Sequence, residues 1–245
     1  MDLAGGTAYL GIDLAWGSRA RTGLAVARSD GRLLASCSAR SDDEILEFVR
    51  RNAPGDAVAA IDAPLVVRNP SGRRDCEAQV QRAFGRYGAG PYPANLANPA
   101  FAAGPRGARL CATLGFDLRI DSPSGRRAIE VYPHPAMVVL LDLDRVIPYK
   151  NKKGRTVESL RDAFLRLLDL METGLPELRL PSSARWAELR SIAAGATRKV
   201  DLDRIEDEVD AIFCAHLAHR WHRDGPAGND VFGDDEGGAI VVPRS

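Results

Sequence analysis

No stretch of this chain approaches the ~20 consecutive apolar residues that span a bilayer. The opening MDLAGGTAYLG also lacks the basic n-region and long apolar core of a secretory signal. There is no CxxC. Cys37, Cys76, Cys111 and Cys214 lie far apart, which argues against a zinc site and a disulfide framework and points to reduced thiols in a cytoplasmic protein. Net charge is absent too: 33 Lys and Arg meet 33 Asp and Glu, so no global field singles out nucleic acid or a membrane. Residues 64–127 contain no lysine, yet carry Arg68, Arg73, Arg74, Arg82, Arg86, Arg106, Arg109, Arg119, Arg126 and Arg127 against Asp75, Glu77, Asp117 and Asp121. Arginine's planar fork suits phosphate and carboxylate, so an anionic partner is one reading; an Arg-rich solvated surface is the other.

What is present is ordinary for a globular domain: 245 residues, 45% hydrophobic and 27% charged, enough to bury a sizeable core. Residues 8–14 read as a strand that ends in Asp13. A small basic turn follows (Gly17, Ser18, Arg19, Arg21), then a second strand at 22–28 and a third at 32–38, an antiparallel meander. Ser41 is the expected N-cap of a helix with Asp42, Asp43 and Glu44 in its first turn. Residues 56–62 (DAVAAID) form an almost wholly apolar fourth strand, expected to be central and parallel to the first. It too ends in a carboxylate, Asp62.

This pattern predicts a mixed α/β sheet, whose sites form beyond the carboxyl ends of parallel strands. Two strand-end carboxylates brought together repel unless a proton or cation joins them. Each alone is equally readable as a strand terminator, Asp13 through a turn cap and Asp62 through Asp-Ala-Pro.

Residues 64–127 interrupt the pattern. A helix is expected over 74–87, and the Gly/Pro/Asn-rich span 88–107 is expected to be irregular. Residues 127–132 (RAIEVY) predict another strand with Glu130 inside it, to be paired with an arginine or used in a site. Pro133-His134-Pro135 is expected to hold His134 in extended backbone, as a general acid, a metal ligand or a local hydrogen-bonding residue. Residues 149–155 (YKNKKGR) form a basic loop with Lys150 and Lys152. Helices are expected at 157–172, 182–194 and 202–221, then an acidic Gly-rich tail and a short strand at 239–242. On the 202–221 helix, Asp210 shares its side of the wheel with Asp207, Phe213, Cys214, Leu217 and Trp221, while Arg204, Glu208 and His219 fall opposite. An aspartate on a packed face needs a partner: a buried salt bridge, or a metal.

Asp13, Asp62, Glu130 and Asp210, with Asp207, are hard oxygen donors with no paired His or Cys, a set that selects Mg2+ or Mn2+. Such ions support phosphodiester cleavage, with arginines and the basic loop on the phosphates.

The segments GIDLAW (11–16), AIDAPL (60–65), RRDC (73–76), EVYPHPA (130–136) and DEVDAIFCA (207–215) together resemble a widespread prokaryotic family described as predicted nucleases of RNase H-like fold. The resemblance implies one RNase H-like domain over 1–245, with a mixed five-stranded sheet, flanking helices and an Arg/Pro/Gly-rich insertion at about 64–127. It implies Asp13, Asp62 and Asp210 or Asp207 as metal-holding acids. Glu130 is a further catalytic candidate, and Arg73, Arg74, His134, Lys150 and Lys152 are the substrate-binding ones. The acid that many such enzymes carry on the first helix has no clear match, Glu44 and Glu47 being unconvincing. The expected activity is metal-dependent cleavage of nucleic acid. Two alternatives stand beside it: an ATP-binding phosphotransferase of the actin and sugar-kinase type, which needs a second half with its own Gly-rich phosphate turn, and a non-catalytic nucleic-acid- or partner-binding module.

Overall fold

The structure, a computed structural model, describes residues 6–17 and 20–245. Ser18 and Arg19 of the basic turn lie outside the described residues. Strands β1 (Ala8–Asp13), β2 (Thr22–Ala27) and β3 (Leu33–Ala39) form the antiparallel meander, and α1 (Asp42–Asn52) leads into β4 (Ala57–Asp62). The α1 start is as expected: the Ser41 side chain accepts from the Glu44 amide at 3.2 Å. After α2 (Asp75–Phe84) and α3 (Arg106–Leu114), β5 (Arg126–Glu130) completes a five-stranded sheet of order β3-β2-β1-β4-β5. β4 pairs parallel with β1 and with β5, so only β2 runs against the rest.

Alternation sends successive side chains to opposite faces. Leu10, Ile12, Ala59 and Ile61 pack on α1 with Ile45 and Val49. Tyr9, Val58 and Ala60 face the larger core with helices α5 (Val157–Gly174), α6 (Ala184–Ala194) and α7 (Lys199–Asp224). The α7 backbone lies directly on the sheet. A Cβ on Gly11 would stand 1.9 Å from the Ala211 carbonyl, and one on Gly23 1.7 Å from the Asp207 carbonyl. Glycine in a strand here marks close approach of another backbone.

Two expectations are corrected. Pro133-His134-Pro135 is the first turn of a helix, α4 (Pro133–Leu140), so His134 is helical, not extended. Proline fits there because the first amides of a helix have no intrahelical acceptor to lose. The tail after α7 contains a strand, β6 (Asn229–Asp234), which pairs with β7 (Gly238–Pro243); Ile240 and Val242 cover Cys76 and Val80 of α2. The face of α7 opposite Asp210 is covered too, in keeping with Ile205 and Ile212 on it: Glu208 is 1% exposed under β3 and α6, where Ser36 Oγ donates to it at 2.7 Å and Arg185 at 2.8 Å. Among the described residues no helix is long and apolar enough to cross a membrane.

Candidate functional site: an acid-floored pocket

The β1–β4 register places Asp13 directly beside Asp62. Both end their strands on the face that receives α7, because they keep the parity of Tyr9 and Val58. A cavity of about 570 Å³ opens above them, its wall including Trp16, Pro64, Tyr132 and His134. Arg145, Lys152 and Arg155 line its other side.

Asp210, fully buried on α7, is engaged at both oxygens. Tyr149 donates its hydroxyl to Oδ1 at 2.7 Å, and Lys150 Nζ stands 2.7 Å from Oδ2. The same ammonium is 3.4 Å from Glu206 Oε1. Lys150 was read as part of a substrate-facing basic loop; it turns inward among the acids, while Lys152 remains exposed at the pocket. Asp13 Oδ2 is buried without a hydrogen-bond partner.

Crowding shows in the proton affinities. Burial pushes Asp13 well above the usual carboxylate range; Lys150 pulls it back, and Asp62, Asp210 and Asp207 push it up again. Burial, with Asp210, Glu130 and Asp207, raises Asp62 to about 7 against the opposing pull of Lys150. Glu206 is pushed up to about 7 and Asp207 to about 6, both chiefly by burial. Burial opposes the Lys150 charge, but Asp210, Tyr149, Asp13 and Glu206 outweigh it and raise its pKa.

Glu130 is placed differently. It is level with Ile61, one residue short of the Asp62 row, and so has the opposite parity. Its carboxylate meets Arg74: Nη1 donates to Oε2 at 2.9 Å and Nη2 to Oε1 at 2.5 Å, while the Leu65 amide donates to Oε2 at 2.9 Å. Arg74 Nε donates to Glu77 at 2.8 Å and Nη1 also to the Val66 carbonyl at 2.9 Å. Arg74 and Glu130 are 3% and 5% exposed, so this guanidinium is already spent on the protein. Arg73 is exposed and is not among the pocket-lining residues, although the carbonyl it donates to belongs to Pro91, which is. His134 lines the pocket, with Nδ1 3.0 Å from the Tyr132 hydroxyl. Burial, helped by the Lys150 charge, lowers its pKa to about 4, so it is neutral at physiological pH.

The residues that sequence reasoning missed are Tyr149, Glu206, Tyr132 and the pocket cation Arg145; Arg155 belongs to the basic loop expected to meet phosphate, and it lines the pocket. Glu206 was legible as the neighbour of Asp207 on an acidic helix. Tyr149 carried no local signal, because its partner is 61 residues away.

Among the described residues no three His, Cys, Asp or Glu side chains stand together in metal-holding geometry. The donors still suit one hard dication. Asp13 and Asp62 lie side by side, Asp13 has an orphaned buried oxygen, and Mg2+ is commonly held by one or two carboxylates plus water and substrate phosphate.

The chain is an α/β protein with an acid-lined pocket at the carboxyl edge of its parallel strands. The chain belongs to the family described as Protein of unknown function (DUF429), whose model matches residues 11–236. No curated protein and no solved structure matches it.

Proposed function

We propose that the protein is a Mg2+- or Mn2+-dependent phosphodiester hydrolase of RNase H-like fold that acts on nucleic acid. The observation that carries this reading is the Asp13–Asp62 pair at adjacent parallel strand ends, in a pocket that Arg145, Lys150, Lys152 and Arg155 also line, with the buried acids of α7 near enough to raise the proton affinity of both. The mixed five-stranded sheet, with acids at the ends of its first and fourth strands and on a late helix, supports the resemblance seen in the sequence. A bound ion would supply an activated water and neutralise charge developing on the phosphate.

The side chains divide the remaining work. Asp13 and Asp62 hold the ion, their strand ends fixed by the β1–β4 ladder. Lys152, Arg145 and Arg155 draw the phosphate backbone to the pocket. Arg74 and Glu130 act at one remove: they tie the chain after β4, at Leu65 and Val66, to the start of α2. The phosphotransferase alternative gains nothing here, since the described residues form one five-stranded sheet and one two-stranded hairpin instead of two matching halves.

The test is cleavage of single- and double-stranded DNA and RNA with Mg2+, with Mn2+ and with chelator. Cleavage that needs the ion and falls at least about 100-fold in Asp13→Asn and Asp62→Asn is the expected result, since even outer-shell partners of a metal are worth 10–100-fold. Nucleic-acid binding that persists in chelator, with no cleavage of any form, would refute the enzyme and leave the binding module.

A further inference from the structure

A two-ion site would place its second ion beside Asp210, and the structure fills that place with an ammonium. Lys150 Nζ lies 2.7 Å from Asp210 Oδ2 and 3.4 Å from Glu206 Oε1. The other Asp210 oxygen already accepts from Tyr149 at 2.7 Å. The placement is built in. Tyr149 is 1% exposed and packs edge-on against Phe164 of α5, with ring centroids 5.9 Å apart. The Lys150 carbonyl is held by the Arg155 guanidinium. An ion at Asp210 would have to expel both donors or sit against a like charge at contact distance, and in a low-dielectric floor that repulsion is large. Asp210 Oδ2, like Asp13 Oδ2, has no hydrogen-bond partner, but it has Lys150 at ion-pair distance; Asp13 and Asp62 feel the same charge without an ion pair to it among the described residues. Lys150 also lines the pocket, so its charge faces whatever phosphate enters.

We propose that Lys150 takes the place of a second metal ion: the site accepts one dication, on Asp13 and Asp62, and Lys150, fixed by Asp210, supplies the other positive charge. This rests on the hydrolase reading for its purpose but not for its test, which reads ion number and needs no substrate.

Manganese is titrated by calorimetry and by the loss of the free-ion resonance signal. The samples are the wild-type chain and the variants Lys150→Met, Lys150→Arg and Asp210→Asn, with melting curves to establish folding. The wild type is expected to take one Mn2+, Lys150→Met one more, and Lys150→Arg the wild-type number. Asp210→Asn is expected to keep its single ion with Kd within about threefold, whereas loss of a true ligand or its close support weakens binding 10–100-fold or more. If Lys150→Met does not fold, Asp210→Asn decides alone. Two ions in the wild type would overturn the proposal, as would an unchanged count in folded Lys150→Met or a tenfold weaker ion in Asp210→Asn. A wild type that binds no ion would overturn the single-ion site together with the metal-dependent hydrolase, whereas two ions in the wild type would overturn the proposal and leave the hydrolase standing.

Discussion

Glu130→Gln separates a structural carboxylate from a chemical one. In the wild type its charge is met by two Arg74 nitrogens and the Leu65 amide, inside a region only a few percent exposed. Gln keeps the shape and removes the charge. Its amide must then present one NH2 to a guanidinium that has no lone pair to accept it. Breaking a buried ion pair by removing one partner costs about 3–5 kcal/mol. Arg74 retains Glu77 at 2.8 Å, so the charge is not stranded. The loss therefore belongs at the low end, about 3 kcal/mol, or about 6–12 °C in Tm for a chain of this size. Calorimetry and urea denaturation at neutral pH read it directly. Any cleavage activity should survive in Glu130→Gln below its melting transition, with the ion dependence of the wild type. A Tm within about 2 °C of wild type, together with abolished cleavage, would refute the reasoning and make Glu130 a participant in the chemistry.

Asp62 gives a pH signature. It holds its proton up to about 7 in the folded protein, against about 3.9 in an unfolded chain. The folded state therefore binds more protons between these values. Stability should fall as pH rises from about 4 to about 7 and level off above. Melting curves of metal-free protein from pH 5 to 8 should show this decline, Asp62→Asn should make it shallower while Glu206 and Asp207 keep part of it, and an equal slope in both would remove Asp62 as a source. Gly23→Ala forces a Cβ against the Asp207 carbonyl and should cost at least about 3 kcal/mol in urea denaturation, the upper end for overpacking; a cost below 1 kcal/mol would show that α7 yields freely.

The site's central pair was legible because its signals are local. An apolar run closed by aspartate occurs twice, and parallel pairing of those two runs follows from the α/β pattern, so Asp13 and Asp62 could be placed together before any coordinates. Asp210 followed from 3.6-residue periodicity. What escaped was long-range or rule-breaking. The Arg74–Glu130 pair spans 56 residues, and ten arginines between 64 and 127 offered no means of choosing among them. Lys150 sits in a loop whose composition reads as solvated, and only the packing of Tyr149 turns it inward. Pro-His-Pro signalled a break, although prolines in a first turn are compatible with helix. Gly11 and Gly23 carry no signal that tells a tolerated glycine in a strand from one that a helix backbone rests on.

That contact of helix on sheet divides the pocket into two parts of unequal permanence. The acids are carried by β1, β4 and α7, and the α7 backbone touches β1 at Gly11 and β2 at Gly23 with no side chain between them. They can be exposed only by an opening of the whole domain, so their amides belong with the slowest-exchanging in the molecule. Arg145, Lys152 and Arg155 ride on segments between helices, where local opening is cheap and substitution is tolerated. If the pocket takes an anionic substrate as proposed, descent within the family can exchange one for another by rewriting that loop, while the carboxylates below it stay fixed by the requirement that the protein fold at all.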